Sequence, residues 1–202
     1  MGRVKKNLPV DLPEDEINEK INSWHIPLHS NKQWTLEKAL KTMDGFSLAP
    51  QDVPLIIQLV ENPKYDIGLF SGNTTLRAHD CIHILLGRGL LLKDEAFVIG
   101  YTMGSTKKMA RWRRNLFMFI SKYLYPEGYK FGEEERFVFN SAVLLGQDCP
   151  TDLSKVNFDS KFILSADLNE LRSELGLDKN KINCYYNLER LLFNDRESKR
   201  LI

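Results

Sequence analysis

The chain has 202 residues, 43% of them apolar and 27% charged, and a formal net charge of +1. This balance fits a globular chain with a sizeable core and excludes a collagen-like or wholly disordered one. So small a net charge supplies no global field for nucleic acid or an anionic membrane, so any such contact must be local.

The basic start, Met1 to Lys6, is followed by Asn7, Pro9, Asp11 and Pro13 instead of an apolar run. No secretory signal is expected there. Pro9 and Pro13 oppose helix, so residues 1–13 read as an extended arm. Residues 14–202 read as one helical domain. Glu14 to Trp24 has helical composition and stops before Pro27. Thr35 can cap a short helix over Leu36, Ala39, Leu40 and Met43, ended by Gly45. Asp52 and Pro54 open another over Leu55, Ile56, Leu59 and Val60, stopping before Pro63.

Asn73 or Thr74 can start the next helix, which runs to about Leu86 and meets Gly87 and Gly89. Asp94 to Met103 is apolar nearly all round and reads as a buried helix. Arg111 to Tyr125 mixes apolar and basic faces before Pro126. Glu133 to Leu145 follows, with three acids in its first turn, where the helix dipole favours them. Ser165-Ala166-Asp167-Leu168 opens a further helix to Leu175, ended by Gly176, Tyr185 to Phe193 completes the series, and Phe158 to Leu164 is the best strand candidate. The expected fold is mainly α, a single-domain, bundle-like arrangement.

Three cysteines, Cys81, Cys149 and Cys184, are far apart and form no CxxC pair. A disulfide framework or a cysteine zinc site is not expected. The informative stretch is His79-Asp80-Cys81-Ile82-His83. Histidines four apart share one helix face, close enough for both rings to reach one ion at about 2.0–2.1 Å. Asp80 is turned roughly 100° away on the wheel. It can bind the ion, orient a histidine or act as a base. Eleven residues beyond His83 comes Glu95, after Gly87 and Gly89 have allowed a reversal. Two histidines and one or two carboxylates on adjacent helices suit a divalent metal: zinc, iron, manganese or cobalt.

The pattern of His79, Asp80, His83 and, eleven residues on, Glu95 resembles the HDxxH-x11-E hallmark of the ubiquinone (coenzyme Q) biosynthesis family called Coq-four. Ile84-Leu85-Leu86-Gly87 is also similar to that family's apolar-then-glycine continuation. The resemblance spans about residues 74–105. It implies a helical fold, a zinc ion held by His79, Asp80, His83 and Glu95, and an apolar site for a polyprenylated aromatic ring. It further implies peripheral association with a membrane-bound biosynthetic protein complex. The implied roles are loss of the ring carboxylate, a lyase reaction with Asp80 and Glu95 as catalytic carboxylates, or non-catalytic scaffolding. Two flanks depart from the family pattern. Thr75-Leu76-Arg77-Ala78 replaces an Arg-rich and acidic lead-in, and Asp94 stands where a glycine commonly precedes the glutamate.

A second reading is an HD-type phosphohydrolase, with His25 or His29 and Asp148 joining His79 and Asp80. It leaves Glu95 idle. A zincin protease would need glutamate where Asp80 stands. Lys107, Lys108, Arg111, Arg113 and Arg114 form the densest basic cluster, interleaved with Met109, Trp112, Phe117 and Phe119. Such a segment suits a membrane interface, or a solvated basic face that pairs with Glu133, Glu134 and Glu135. The location expected is cytoplasmic, or peripheral on the cytoplasmic side of a membrane. Nothing beyond this cluster speaks for nucleic acid.

Overall fold

The computed structural model describes residues 19–20, 22–30, 32–44, 72 and 74–201. The arm at 1–13, most of the helix at 14–24 and the helix between Asp52 and Pro63 lie outside those residues. The described part is helical, as the periodicity predicts. Its one β feature is an isolated bridge between Thr35 and Asp167.

Helix α1, Leu36–Lys41, starts where Thr35 caps it. Helix α2, Leu76–Leu86, carries both motif histidines, and Thr75 Oγ1 accepts from Ala78 N at its start. Helix α3, Leu92–Ser105, carries Glu95 in its first turn. Helix α4 is Arg111–Tyr123 and α5 is Glu133–Asp148. A 3-10 turn at Leu153–Lys155 leads to the short α6, Lys161–Ser165. Asp167 then caps α7, Leu168–Glu174. Helix α8, Lys179–Leu192, begins six residues before the expected Tyr185, because Asp178 caps it by accepting from Lys181 N. Helix α9 is Arg196–Lys199.

Phe158 to Leu164 is not a strand. Asn157 Oδ1 accepts from Asp159 N at 3.2 Å and Asn157 O from Ser160 N at 3.1 Å, which closes a turn ahead of α6. No described strand lies beside it to pair with.

The core is built on α3, which is buried on all sides from Ala96 to Ser105. Helix α5 lies against it with the backbones nearly touching. A Cβ on Gly100 would stand 2.6 Å from the Phe139 carbonyl oxygen. One on Gly104 would strike Val143 O, and one on Gly146 would strike Tyr101 O. Gly100 facing Phe139 and Gly104 facing Val143 also mean that α3 and α5 run parallel. Phe117 of α4 stacks on Phe139 with centroids 4.7 Å apart. Phe97 of α3 stacks on Tyr185 at 5.4 Å and meets Tyr186 edge-on, tying α8 to the same core.

Helix α2 ends inside this core, so its last carbonyls cannot turn to water. Gly87 closes the helix in the left-handed conformation, φ 67°, where a side chain is disfavoured. Arg172 of α7 then donates from Nε to Leu85 O, from Nη2 to Ile84 O and from Nη1 to Leu28 O, at 2.9–3.0 Å. Tyr186 Oη donates to Leu86 O at 2.6 Å, and His25 Nε2 donates to Gly87 O at 2.9 Å. Every terminal carbonyl from Ile84 to Gly87 therefore has a side-chain donor. Burial pulls the Arg172 guanidinium down to about 10, still a cation at neutral pH and well placed at a helix C-terminus.

Gly104→Ala tests the α3/α5 contact. Alanine is the better helix former by about 1 kcal/mol. The clash with a backbone carbonyl should outweigh that, for a net loss of about 1–2 kcal/mol and a fall in Tm of a few degrees. A thermal melt that is unchanged or higher would show that the helices can part at no cost.

Candidate metal centre

Three side chains converge where α2 meets the start of α3. His79 Nε2 lies 2.9 Å from Glu95 Oε2 and 3.0 Å from His83 Nε2, and His83 Nε2 lies 3.4 Å from Glu95 Oε2. The two rings meet edge-on with centroids 4.7 Å apart. Among the described residues this is the one group of His, Cys, Asp and Glu close enough to hold a metal ion.

The tautomer of His83 follows from its other nitrogen. Nδ1 sits 2.6 Å from Gly89 O, and a carbonyl can only accept, so Nδ1 carries the hydrogen. Neutral His83 then presents a bare lone pair on Nε2. That lone pair faces His79 Nε2 and a carboxylate oxygen. One hydrogen on His79 Nε2 cannot point at both neighbours. A divalent cation would satisfy all three atoms together. Ligand atoms around a tetrahedral zinc with bonds of about 2.0–2.1 Å stand about 3.3 Å apart, near the separations found here. The donor set therefore fits the ion.

The surroundings differ from side to side. The His83 side chain is 0% exposed, whereas His79 is 17% and Glu95 20% exposed. The group is closed toward the core and open toward solvent. Three protein donors with one open side are the arrangement of a catalytic metal; a structural zinc has four donors and none open.

Asp80 does not belong to the three. It is half-buried on the next position of α2, and its charge bears on Cys81, whose thiol is pushed up to about 12 by burial first and by Asp80 second. His25 serves the Gly87 carbonyl, and burial holds its pKa below the usual histidine value. His29 is exposed, and Asp148 pairs with Lys181 at 2.8 Å. None of these residues joins the group of His79, His83 and Glu95.

The turn between His83 and Glu95 is held by charges that spacing did not reveal. Arg88 is fully buried and bidentate to Glu189 of α8 at 2.9 and 2.6 Å. Its guanidinium also lies 4.0 Å over Phe97 and 4.4 Å over Tyr186. Burial opposes that charge most, but Glu189, Tyr186 and Asp94 together more than offset it and hold the Arg88 pKa well above its ordinary value. The one signal in sequence was a lone arginine inside the apolar run from Ile82 to Leu92. Its partner is 101 residues away. Lys93 N donates to Glu197 Oε2 at 2.9 Å, and Lys93 Nζ contacts Asp195 and Glu134 at 2.5 Å each.

The chain matches no family model, no curated protein and no solved structure.

Glu197 yields a pH test. Burial, helped by the nearby Asp94 charge, raises its carboxyl from 4.5 to about 7. A raised carboxyl contributes its full stability below the unfolded value and loses it as pH climbs through the folded one. Glu197→Gln keeps an oxygen for Lys93 N and never ionises. It should exceed the parent by on the order of 1 kcal/mol at about pH 8, after allowance for solvent screening, and by nothing at about pH 4. Denaturant midpoints at the two pH values check this; equal midpoints at the higher pH reject it.

Proposed function

We propose that this chain is a Coq-four-like, metal-dependent protein of ubiquinone biosynthesis that removes the ring carboxylate from a polyprenylated aromatic substrate. The observation that supports the reading is the convergence of His79, His83 and Glu95, the residues picked out by the HDxxH-x11-E spacing. Zinc is the first choice of metal, and iron, manganese and cobalt accept the same donors.

His79 and His83 would hold the ion through Nε2, and Glu95 through Oε2. Gly89 O fixes the ring of His83, so that ligand is oriented before any metal arrives. A bound divalent ion supplies a Lewis acid for charge developing on the ring oxygens. In the reaction a carbon–carbon bond breaks, carbon dioxide leaves with neither electron of that bond, and a proton takes its place on the ring. Glu95, whose side chain is part-exposed, and Asp80, one position along α2 from His79, are the carboxylates at hand to deliver that proton. The open side of the group is where a ring would approach. An open side favours this reading over a scaffold that uses its metal only structurally.

Helix α4 supports a peripheral membrane role. Trp112, Leu116, Phe119 and Tyr123 recur at helical spacing on one face, and Trp112 and Tyr123 are 55% and 59% exposed. Arg111 and Lys122 border this stripe on one side and Arg113 on the other. Lys107 and Lys108 are exposed just ahead of it. Aromatics flanked by cations fit a bilayer with anionic headgroups. The acidic start of α5 reaches one of these cations: Glu133 pairs with Lys122 and Arg136, whereas Glu134 pairs with Lys93 and Glu135 accepts from Gly132 N. No helix among the described residues is long and apolar enough to cross a membrane.

Elemental analysis of the purified chain should find metal in stoichiometric amount, and His79→Ala and His83→Ala should each lose it. Full metal in both variants rejects the site. The metal-loaded chain, given a ring-carboxylated polyprenyl substrate, should release carbon dioxide; no product rejects the decarboxylase reading for that substrate. In vesicle sedimentation, Arg111→Glu with Arg113→Glu should weaken binding to anionic vesicles by at least about tenfold, from about 1 kcal/mol per cation. Unchanged binding rejects the α4 face.

A further inference from the structure

We propose that Arg200 is a positioning residue for the metal centre, acting on two of its three ligands through one guanidinium. The inference rests on the metal reading above and adds a residue more than a hundred positions away from the motif. Its first contact is with Asp94. Arg200 Nη2 donates to Asp94 Oδ2, and that same oxygen accepts from Leu91 N at 3.0 Å, capping α3. Asp94 is fully buried and immediately precedes Glu95. The direction in which α3 starts, and so the aim of Glu95, is set by this carboxylate.

Its second contact is with Gly89. A Cβ on Gly89 would run into the Arg200 guanidinium, so the two are packed face to face. Gly89 O is the atom that orients His83 Nδ1. The guanidinium thus touches the residue that orients one ligand and the residue that precedes another. Arg200 is itself anchored, since Nη1 donates to Asn22 O at 2.8 Å. Just before it, Asp195 and Glu197 grip Lys93. Residues 195–200 form a strap across the start of α3.

The position ahead of Glu95 is informative here. A buried aspartate there needs a cation beside it, and the half-buried Arg200 supplies it. Arg88 cannot serve alone: its guanidinium is bidentate to Glu189 and stands 3.8 Å from Asp94 Oδ1.

The test is a Co²⁺ titration of the full chain, read by visible d–d absorption, with an apo melt on each variant. In the parent, Co²⁺ should give a band that His83→Ala abolishes. Arg200→Ala should bind Co²⁺ roughly 10–100-fold more weakly, with altered band intensity, as losses of ligand-orienting groups do. Arg200→Lys, which restores the charge beside Asp94 but not the plate against Gly89, should recover part of the affinity. Gly104→Ala serves as a destabilised control far from the site. Should Arg200→Ala not fold, Arg200→Gln gives the same reading. If the Arg200 variant binds Co²⁺ within threefold of the parent, or no more weakly than Gly104→Ala, the positioning role is overturned and the metal site stands. If the parent gives no band that His83→Ala removes, the metal reading itself fails, and the Arg200 role falls with it.

Discussion

A helix that ends inside a protein leaves carbonyl oxygens with nowhere to go, and this chain ends its motif helix there. Each oxygen left bare would cost about 1–3 kcal/mol. Arg172, Tyr186 and His25 meet that demand at Ile84, Leu85, Leu86 and Gly87. A guanidinium is the right donor for the task, because its fork reaches two successive carbonyls and its charge complements the negative helix end. Once that end is fixed, so is the reversal through Gly87 to Leu91. The reversal sets Gly89 O against His83 and brings Glu95 across to the two histidines.

The same region concentrates charge where there is little water. Arg88, Asp94 and Glu189 are all fully buried, and the half-buried Arg200 joins them. Such groups add little net stability compared with a well-packed apolar core, yet removing one member strands the others at a cost of several kcal/mol. Their effect is to permit one arrangement of the turn and to exclude others. That would suit a metal, whose ligand atoms must sit within a few tenths of an ångström of its preferred spacing.

Much of this was legible in the sequence. Helices α1, α2, α4, α5, α7 and α8 announce themselves by a cap or by apolar spacing, and α3 by being apolar all round, whereas the short α6 and α9 lie outside the expected helices. The His79, His83 and Glu95 group was legible because two histidines on one face and a carboxylate after a glycine-rich reversal are local signals. Asp80 enters through the HDxxH pattern and stands one step along α2 from His79, and the three-atom group forms without it. The strand expected at Phe158 to Leu164 failed because its apolar residues hid an Asn157 turn and because a strand needs a partner. The early start of α8 is hard to read because Lys179 to Asn183 is polar but for Ile182; Asp178 marks the cap, and Ile182, three and four residues before Tyr185 and Tyr186, begins the buried face. Least legible were the supports. Arg88 with Glu189 and Arg172 with Leu85 join residues 101 and 87 apart, and nothing local encodes such pairs.

The lateness of those supports in the chain has a consequence for how the centre is made. A ribosome delivers His79, His83 and Glu95 long before Arg172, Tyr186, Glu189 and Arg200 exist. Until those residues emerge, the end of α2 has water in place of its donors, and Asp94 lacks its cation. The nascent histidines are therefore present but not aimed. Metal offered during synthesis would meet flexible, low-affinity ligands open to any cation, whereas metal offered after the last helices dock would meet a preset triangle. An ion taken by this group would therefore be captured late, after the C-terminal helices close over the core.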